Sequence, residues 1–272
     1  MPTDSYNAIR LRHANEAAPQ HSGAYVLYWM QASRRLAANH ALNYALACAQ
    51  HYQKPLVVYE GLKLGYPWAS PRLHRFILDG MLDNQRTAAN LGLNYWPFVE
   101  TPGNDGRGLL RKLAAEAVLV VTDDFPCFII PDQTAALARR SPVSVIAVDG
   151  NSIVPLALLG PATTAAAHLR RRIHACFADA WANRAGPRRR IPAVACTKVV
   201  APFATWQTED VDGFVASLPL DRSVPVVPGV VGGATAAAAH LAEFVRQRLP
   251  GYADKRSQPT APAVGHASGL SP

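Results

Sequence analysis

Short apolar runs alternate with longer amphipathic stretches along the first half of this chain, and that alternation limits the folds open to it more than any other feature. Residues 25–30, 56–59, 95–99, 117–121 and 143–148 are rich in β-branched or aromatic side chains and apolar at consecutive positions. A strand covered on both faces has this signature, because neither side of its pleat meets water. Between these runs the period is helical. Ala37, Ala41, Tyr44, Ala45, Cys48 and Tyr52 fall on one face of the first stretch, and Leu73, Phe76, Ile77, Gly80, Met81 and Asn84 on one face of the second. Residues 106–116 and 132–140 supply two shorter crossovers. Five strands alternating with four helices predict an α/β domain over residues 22–156, with a doubly wound (Rossmann-like) five-stranded parallel sheet and right-handed crossovers.

Either side of this domain the pattern changes. Residues 1–21 carry charged and polar groups without an apolar stretch, so they read as a disordered arm rather than a secretory leader. Residues 157–231 are broken by prolines, carry two arginine triplets and hold one helical stretch at 162–181, the pattern of an interdomain linker. A last amphipathic helix is expected at 234–249, with Ala237, Leu241, Phe244 and Val245 on its apolar face. From Tyr252 onward the chain is rich in Ser, Pro and Gly. Residues 232–272 thus read as the start of a second, helical domain.

Of the 272 residues, 49% are apolar and 17% charged, a balance that excludes wholesale disorder. No apolar run approaches the roughly 18–20 residues of a membrane-spanning helix, which with the polar start predicts a cytoplasmic protein without a membrane partner. Four cysteines form no C-x-x-C pair, which fits a reducing compartment and gives no structural zinc motif. The net charge of +8 permits a polyanionic partner without demanding one.

Several short segments invite a functional reading, each beside a plainer one. Gly103-Asn-Asp-Gly-Arg-Gly108 lies between a strand and a helix, where a phosphate-cradling loop would sit. It is neither G-x-G-x-x-G nor a P-loop, and a glycine turn feeding a helix explains it as well. Thr122-Asp123-Asp124 closes the fourth strand at the carboxyl edge, where open α/β sheets bind ligands. Two carboxylates there would hold a cation or a ligand, or cap the following turn. Met30-Gln-Ala-Ser-Arg-Arg35 leaves the first strand at the same edge, with Ser33 as a candidate N-cap. His168, His174 and Cys176 are spaced by six and two, which does not stack metal ligands on one helical face. Arg170–Arg172 and Arg188–Arg190 lack interleaved aromatics in the sequence and read as solvated faces. No G-x-S-x-G, H-E-x-x-H or hydrolase carboxylate pair is present, so no catalytic residue is assigned.

The wording of several segments is more specific. Tyr25-Val-Leu-Tyr-Trp-Met30, then Arg34-Arg35 and Asn39-His-Ala-Leu42, resembles the first strand and helix of class II DNA photolyases. Arg75-Phe-Ile-Leu-Asp-Gly80, Val121-Thr-Asp-Asp-Phe-Pro126, Val148-Asp-Gly-Asn-Ser-Ile-Val-Pro155 and His168-Leu-Arg-Arg-Arg-Ile173 are similar to later segments of that family in the same order. Gly251-Tyr-Ala-Asp-Lys-Arg256, Pro259 and Ser268-Gly-Leu-Ser-Pro272 resemble the stretch where its flavin domain begins. The resemblance implies an antenna domain that absorbs light through a deazaflavin- or folate-type chromophore. Met30, Ser33, Arg34 and Asp123 are the candidate lining. It further implies vestigial FAD contacts at Tyr252, Ser268, Leu270 and Ser271, with Gly269 replacing a bulkier polar residue. In the family a large helical domain follows, holding FAD and the damaged-DNA pocket. Light-driven splitting of pyrimidine dimers is therefore expected only with a separately encoded FAD-binding domain. A stand-alone nucleotide- or small-molecule-binding α/β protein is the alternative.

Overall fold

The computed structural model describes residues 8–186 and 191–255. They divide into two units, one of residues up to Tyr66 with Gln85–Gln207, the other of Pro67–Asn84 with residues from Thr208 onward. The first unit holds the sheet. Its strands are β1 (Leu11–His13), β2 (Tyr25–Met30), β3 (Leu56–Leu62), β4 (Asn94–Val99), β5 (Ala117–Asp123) and β6 (Val145–Val148). The intervening helices are α1 (His40–Tyr52), α2 (Pro71–Leu91, whose residues from Gln85 belong here), α3 (Leu109–Glu116) and α4 (Ile130–Ala138). A further helix, α5 (Ala166–Ala182), follows β6.

The spatial order is β1-β6-β5-β2-β3-β4. All pairings are parallel except β1 with β6. Chain order reverses between β2 and β5, so the crevice that such sheets offer to ligands opens at the ends of Met30 and Asp123. The two-residue pleat of β2 explains why helices cover both faces. Val26, Tyr28 and Met30 join one core cluster with Ala41, Ala45 and Cys48 of α1, while Tyr25, Leu27 and Trp29 join another with Leu113 of α3 and Leu137 of α4. Gly23 leads into β2 so close to β5 that a Cβ there would lie 2.4 Å from the Val118 amide nitrogen.

The sheet has six strands rather than five, because the expected disordered arm contains β1. A three-residue Leu-Arg-His strand with an exposed face leaves no apolar run to read. Its anchor is Arg10, 2% exposed, whose guanidinium donates to the carbonyls of Asp149 at 3.0 Å, Ser152 at 3.1 Å and Ile153 at 2.5 Å. Further along, Ala14 N–H donates to Val145 O, and Gln20 N–H to Val118 O, both at 2.8 Å. Replacing Arg10 with methionine leaves those carbonyls without their cation. We expect β1 amides to lose hydrogen-exchange protection and stability to fall by about 2 kcal/mol. Unchanged protection at residues 11–13 would show that the strand holds itself.

The segment expected to be only linker also has work at the sheet. The edge strand β4 contains Pro97, which has no N–H to offer a neighbour. Pro97 O accepts from Trp206 N–H at 2.8 Å, while the Asn94 side chain donates to Thr197 O at 2.9 Å and accepts from Val199 N–H at 3.0 Å. The opposite edge of β3–β4 is thus covered by residues 197–206.

In the second unit, α6 (Val211–Ser217) adds a helix that the sequence pattern does not announce, and α7 (Ala234–Glu243) replaces the longer expected helix. Phe244–Arg248 continues α7 as a π turn, burying Phe244 while Leu241 and Val245 stay about half exposed. Arg75 pairs with Asp79 and Asp212, and Asp83 accepts from the amide and hydroxyl of Thr235. No described helix is long and apolar enough to cross a membrane.

Candidate functional site

The loop after β2 is built around Asp123. Its Oδ2 accepts three consecutive main-chain N–H groups, Gln31 at 2.9 Å, Ala32 at 2.8 Å and Ser33 at 3.0 Å. Its Oδ1 accepts the Tyr28 hydroxyl at 3.0 Å. Three amides converging on one oxygen form an anion cradle, and here a carboxylate of the protein fills it. Burial and the neighbouring Asp123 charge push the Tyr28 hydroxyl well above its ordinary pKa, so it stays a donor. The adjacent Asp124 accepts from Nε and Nη2 of Arg12 at 2.9 and 2.5 Å. Both carboxylates are thus hydrogen-bonded within the protein, Asp123 to the loop after β2 and Asp124 to Arg12.

Two other candidate residues shift role as well. Ser33 is not the N-cap. Asn39 takes that place, its Oδ1 accepting the Leu42 N–H at 2.9 Å while its Nδ2 donates to Tyr28 Oη and to the carbonyls of Ser33 and Arg35. Met30 is fully buried in the core cluster beneath the loop, so its side chain does not line the edge.

Arg34 remains at the edge, and it organises residues that the sequence did not single out. Its Nη1 donates to Glu60 Oε1 at 2.9 Å, Nη2 to Gly61 O at 3.1 Å and Nε to Gln31 O at 3.1 Å. Glu60 is fully buried in β3, and its Oε2 accepts the Tyr95 hydroxyl at 2.6 Å. Burial pushes the Tyr66 hydroxyl up to about 12 while the Arg34 charge pulls it back. Tyr66 meets Phe128 edge to face at 6.2 Å. Phe128 is 48% exposed with φ at +62°, a conformation that costs a bulky residue free energy and recurs at ligand clamps.

Behind the loop lies a buried polar cluster. Gln31 Nε2 donates to Thr122 Oγ1 at 2.7 Å and Thr134 Oγ1 at 3.1 Å, and Thr122 Oγ1 donates on to Trp29 O. Gln31 Oε1 is buried and accepts from nothing in the protein. A buried acceptor left open costs about 1–3 kcal/mol, so this atom calls for a donor from outside the chain. The groups at this edge thus include one open buried acceptor, a guanidinium and a pair of rings.

The remaining candidates do not join it. Gly106, with φ at +59°, presses on the Phe98 ring, 2.5 Å from where a Cβ would stand, and Gly108 caps α3 at φ +79°. Packing and turn geometry account for the Gly103–Gly108 segment. Of the expected flavin contacts only Tyr252 is described, edge on to Phe244 at 5.3 Å. Ser268, Leu270 and Ser271 lie outside the described residues, as do Arg188–Arg190. Among the described residues no three His, Cys, Asp or Glu side chains gather to hold a metal.

No family model matches the chain. A stretch of 150 residues is 34% identical to the deoxyribodipyrimidine photo-lyase of Methanothermobacter thermautotrophicus, covering 55% of this chain and 33% of that protein. Over that stretch the two are homologous. A bacterial class III photolyase from Agrobacterium tumefaciens shares the fold, with a TM-score of 0.53 at 18% identity over 94% of this chain and 51% of that one. The matched residues thus span a third of the curated relative and about half of the solved one.

Proposed function

We propose that the described α/β unit is the antenna domain of a photolyase of class II type and holds a deazaflavin- or folate-type chromophore at the carboxyl edge of its sheet. The observation that carries this is the orphaned Gln31 Oε1 in the loop that leaves β2 at the switch point. When bound, the chromophore supplies absorption of light and passes the excitation on. In this proposal the residues bind and orient it. Gln31 accepts a ring N–H, Arg34 meets a negative or carbonyl edge, and Tyr66 and Phe128 offer ring faces. The class II reading rests on the resemblance of Tyr25–Met30, Arg34-Arg35 and Asn39–Leu42 to that class. Flavin-dependent repair of damaged DNA is proposed only for this unit working with an FAD-binding domain.

Titration of the purified chain with a deazaflavin or a reduced folate, followed by absorption and fluorescence quenching, tests the assignment. We expect saturable binding by one of them. Phe128→Gly removes the ring and relieves the positive φ, so binding will weaken about five- to tenfold while stability does not fall. Absence of saturable binding by either compound would overturn the antenna assignment. Tight nucleotide binding in its place would establish the stand-alone alternative.

A further inference from the structure

Aspartate followed by glycine is the pair most open to internal ring closure, because glycine has no side chain to shield its nitrogen from the neighbouring carboxyl. Four such pairs occur in the chain, at Asp79, Asp105, Asp149 and Asp212. The fold treats them unequally. Asp79–Gly80 lies inside α2, with the Gly80 amide in the helical ladder and the carboxylate shared between Arg75 and the Gly232 N–H. Gly213 N–H donates to Asp210 Oδ1 at 2.9 Å, which caps α6. Asp149 and Asp105 are the closer rivals. Each accepts the N–H two residues on, from Asn151 at 3.1 Å and from Arg107 at 2.9 Å, a turn that brings the carboxyl round toward the intervening glycine. Asp149 is 6% exposed, however, and its Oδ2 accepts the Leu156 N–H at 2.6 Å. Its Oδ1 also accepts the Asn151 side chain at 2.9 Å. The Asp105 side chain is 66% exposed, and its sole partner among the described residues is Arg107, whose Nε lies 3.4 Å from Oδ2. The Gly106 N–H donates to nothing among the described residues.

We propose that Asp105 is a site of spontaneous covalent modification, at which the native chain passes from aspartate to isoaspartate through a succinimide. With the carboxyl protonated by solvent, the Gly106 nitrogen bonds to Cγ, and the amide hydrogen leaves with the carboxyl OH as water. Water then adds to the ring. Breaking the bond between nitrogen and Cγ restores aspartate, whereas breaking the bond between nitrogen and the Asp105 carbonyl carbon routes the main chain through Cβ and Cγ. The water lost in the first step returns in the second, so no oxidant, cofactor or other reactant is consumed. Exposure decides where this runs in a folded chain: the carboxyl must reach solvent protons, and the ring must admit water. A main chain longer by one carbon has little room here. A Cβ on Gly106 would already stand 2.5 Å from the Phe98 ring, and Phe98 meets Phe203 of the covering segment at 5.8 Å. Isoaspartate at this position will thus loosen the close of β4 and the segment packed on it.

Incubation of the full 272-residue chain in heavy-oxygen water, folded and in urea, tests it. A protease that cuts before aspartate but not before isoaspartate, with mass spectrometry, reads each of the four sites. In the folded chain Asp105 is expected to take up heavy oxygen and lose cleavage about tenfold or more faster than Asp79, Asp149 or Asp212. In urea, with the fold gone, the four draw level. Asp105→Glu will abolish the signal at this position, since its longer side chain closes a larger ring poorly, and unchanged melting will verify its fold. Isoaspartate forming at Asp149 as fast as at Asp105 would overturn the proposal. So would an Asp105 that reacts in urea and not in the folded chain, or a lead for Asp105 that persists undiminished in urea.

Discussion

Replacing Asp123 with alanine will cost about 4 kcal/mol of stability, the largest effect expected of any single substitution in the sheet. The change strands the amides of Gln31, Ala32 and Ser33 and the hydroxyl of Tyr28 at once. Each buried donor left unpaired costs about 1–3 kcal/mol, and partial entry of water brings the sum below simple addition. Asparagine keeps an acceptor oxygen but not the charge, so Asp123→Asn will lose roughly half as much. Urea unfolding of both variants measures the difference. A loss below about 1 kcal/mol for alanine would mean that the loop re-forms in solvent and that the cradle is not a structural keystone.

Arg34→Met is the second large effect, about 3 kcal/mol, because it takes the cation away from a carboxylate with no exposure. Much of that loss belongs to Glu60 rather than to the pair itself. Breaking a buried ion pair from one side leaves the other charge desolvated, whereas removing both charges does not. The double variant Arg34→Met/Glu60→Gln will therefore be more stable than Arg34→Met alone, its amide still able to accept from Tyr95. A double-mutant cycle reads this directly. Strict additivity would show that Arg34 supports the edge by packing alone.

How far the sequence discloses this molecule follows from what each segment touches. β5 was legible because all seven of its residues are buried and its first five, Ala117–Val121, are apolar without a break. β1 was not, because its stability comes from Arg10 reaching carbonyls some 140 residues away, which leaves no local trace. Ser33 and Asn39 are both good capping residues by type, and only the path of the loop decides between them. At the edge site Arg34 was visible as a loop cation beside the first strand. Glu60 left a fainter signal: a carboxylate inside a buried strand demands a partner, and ending that strand at residue 59 concealed the demand. Tyr66 and Phe128 obey no period, and only the folded chain brings their rings together.

The two flanks of the sheet carry a consequence for assembly. An open strand edge is a template onto which another polypeptide can add a strand, the route both to peptide recognition by augmentation and to fibrous association. Here the antiparallel β1 occupies one flank, and residues 197–206 with Pro97 close the other. The outer side of β1 is still an edge, but a three-residue strand with two exposed polar residues is a poor template, so strand addition is disfavoured on both sides. Deleting the first fourteen residues would turn a self-contained sheet into a sticky one, recruiting copies of itself through the bared β6.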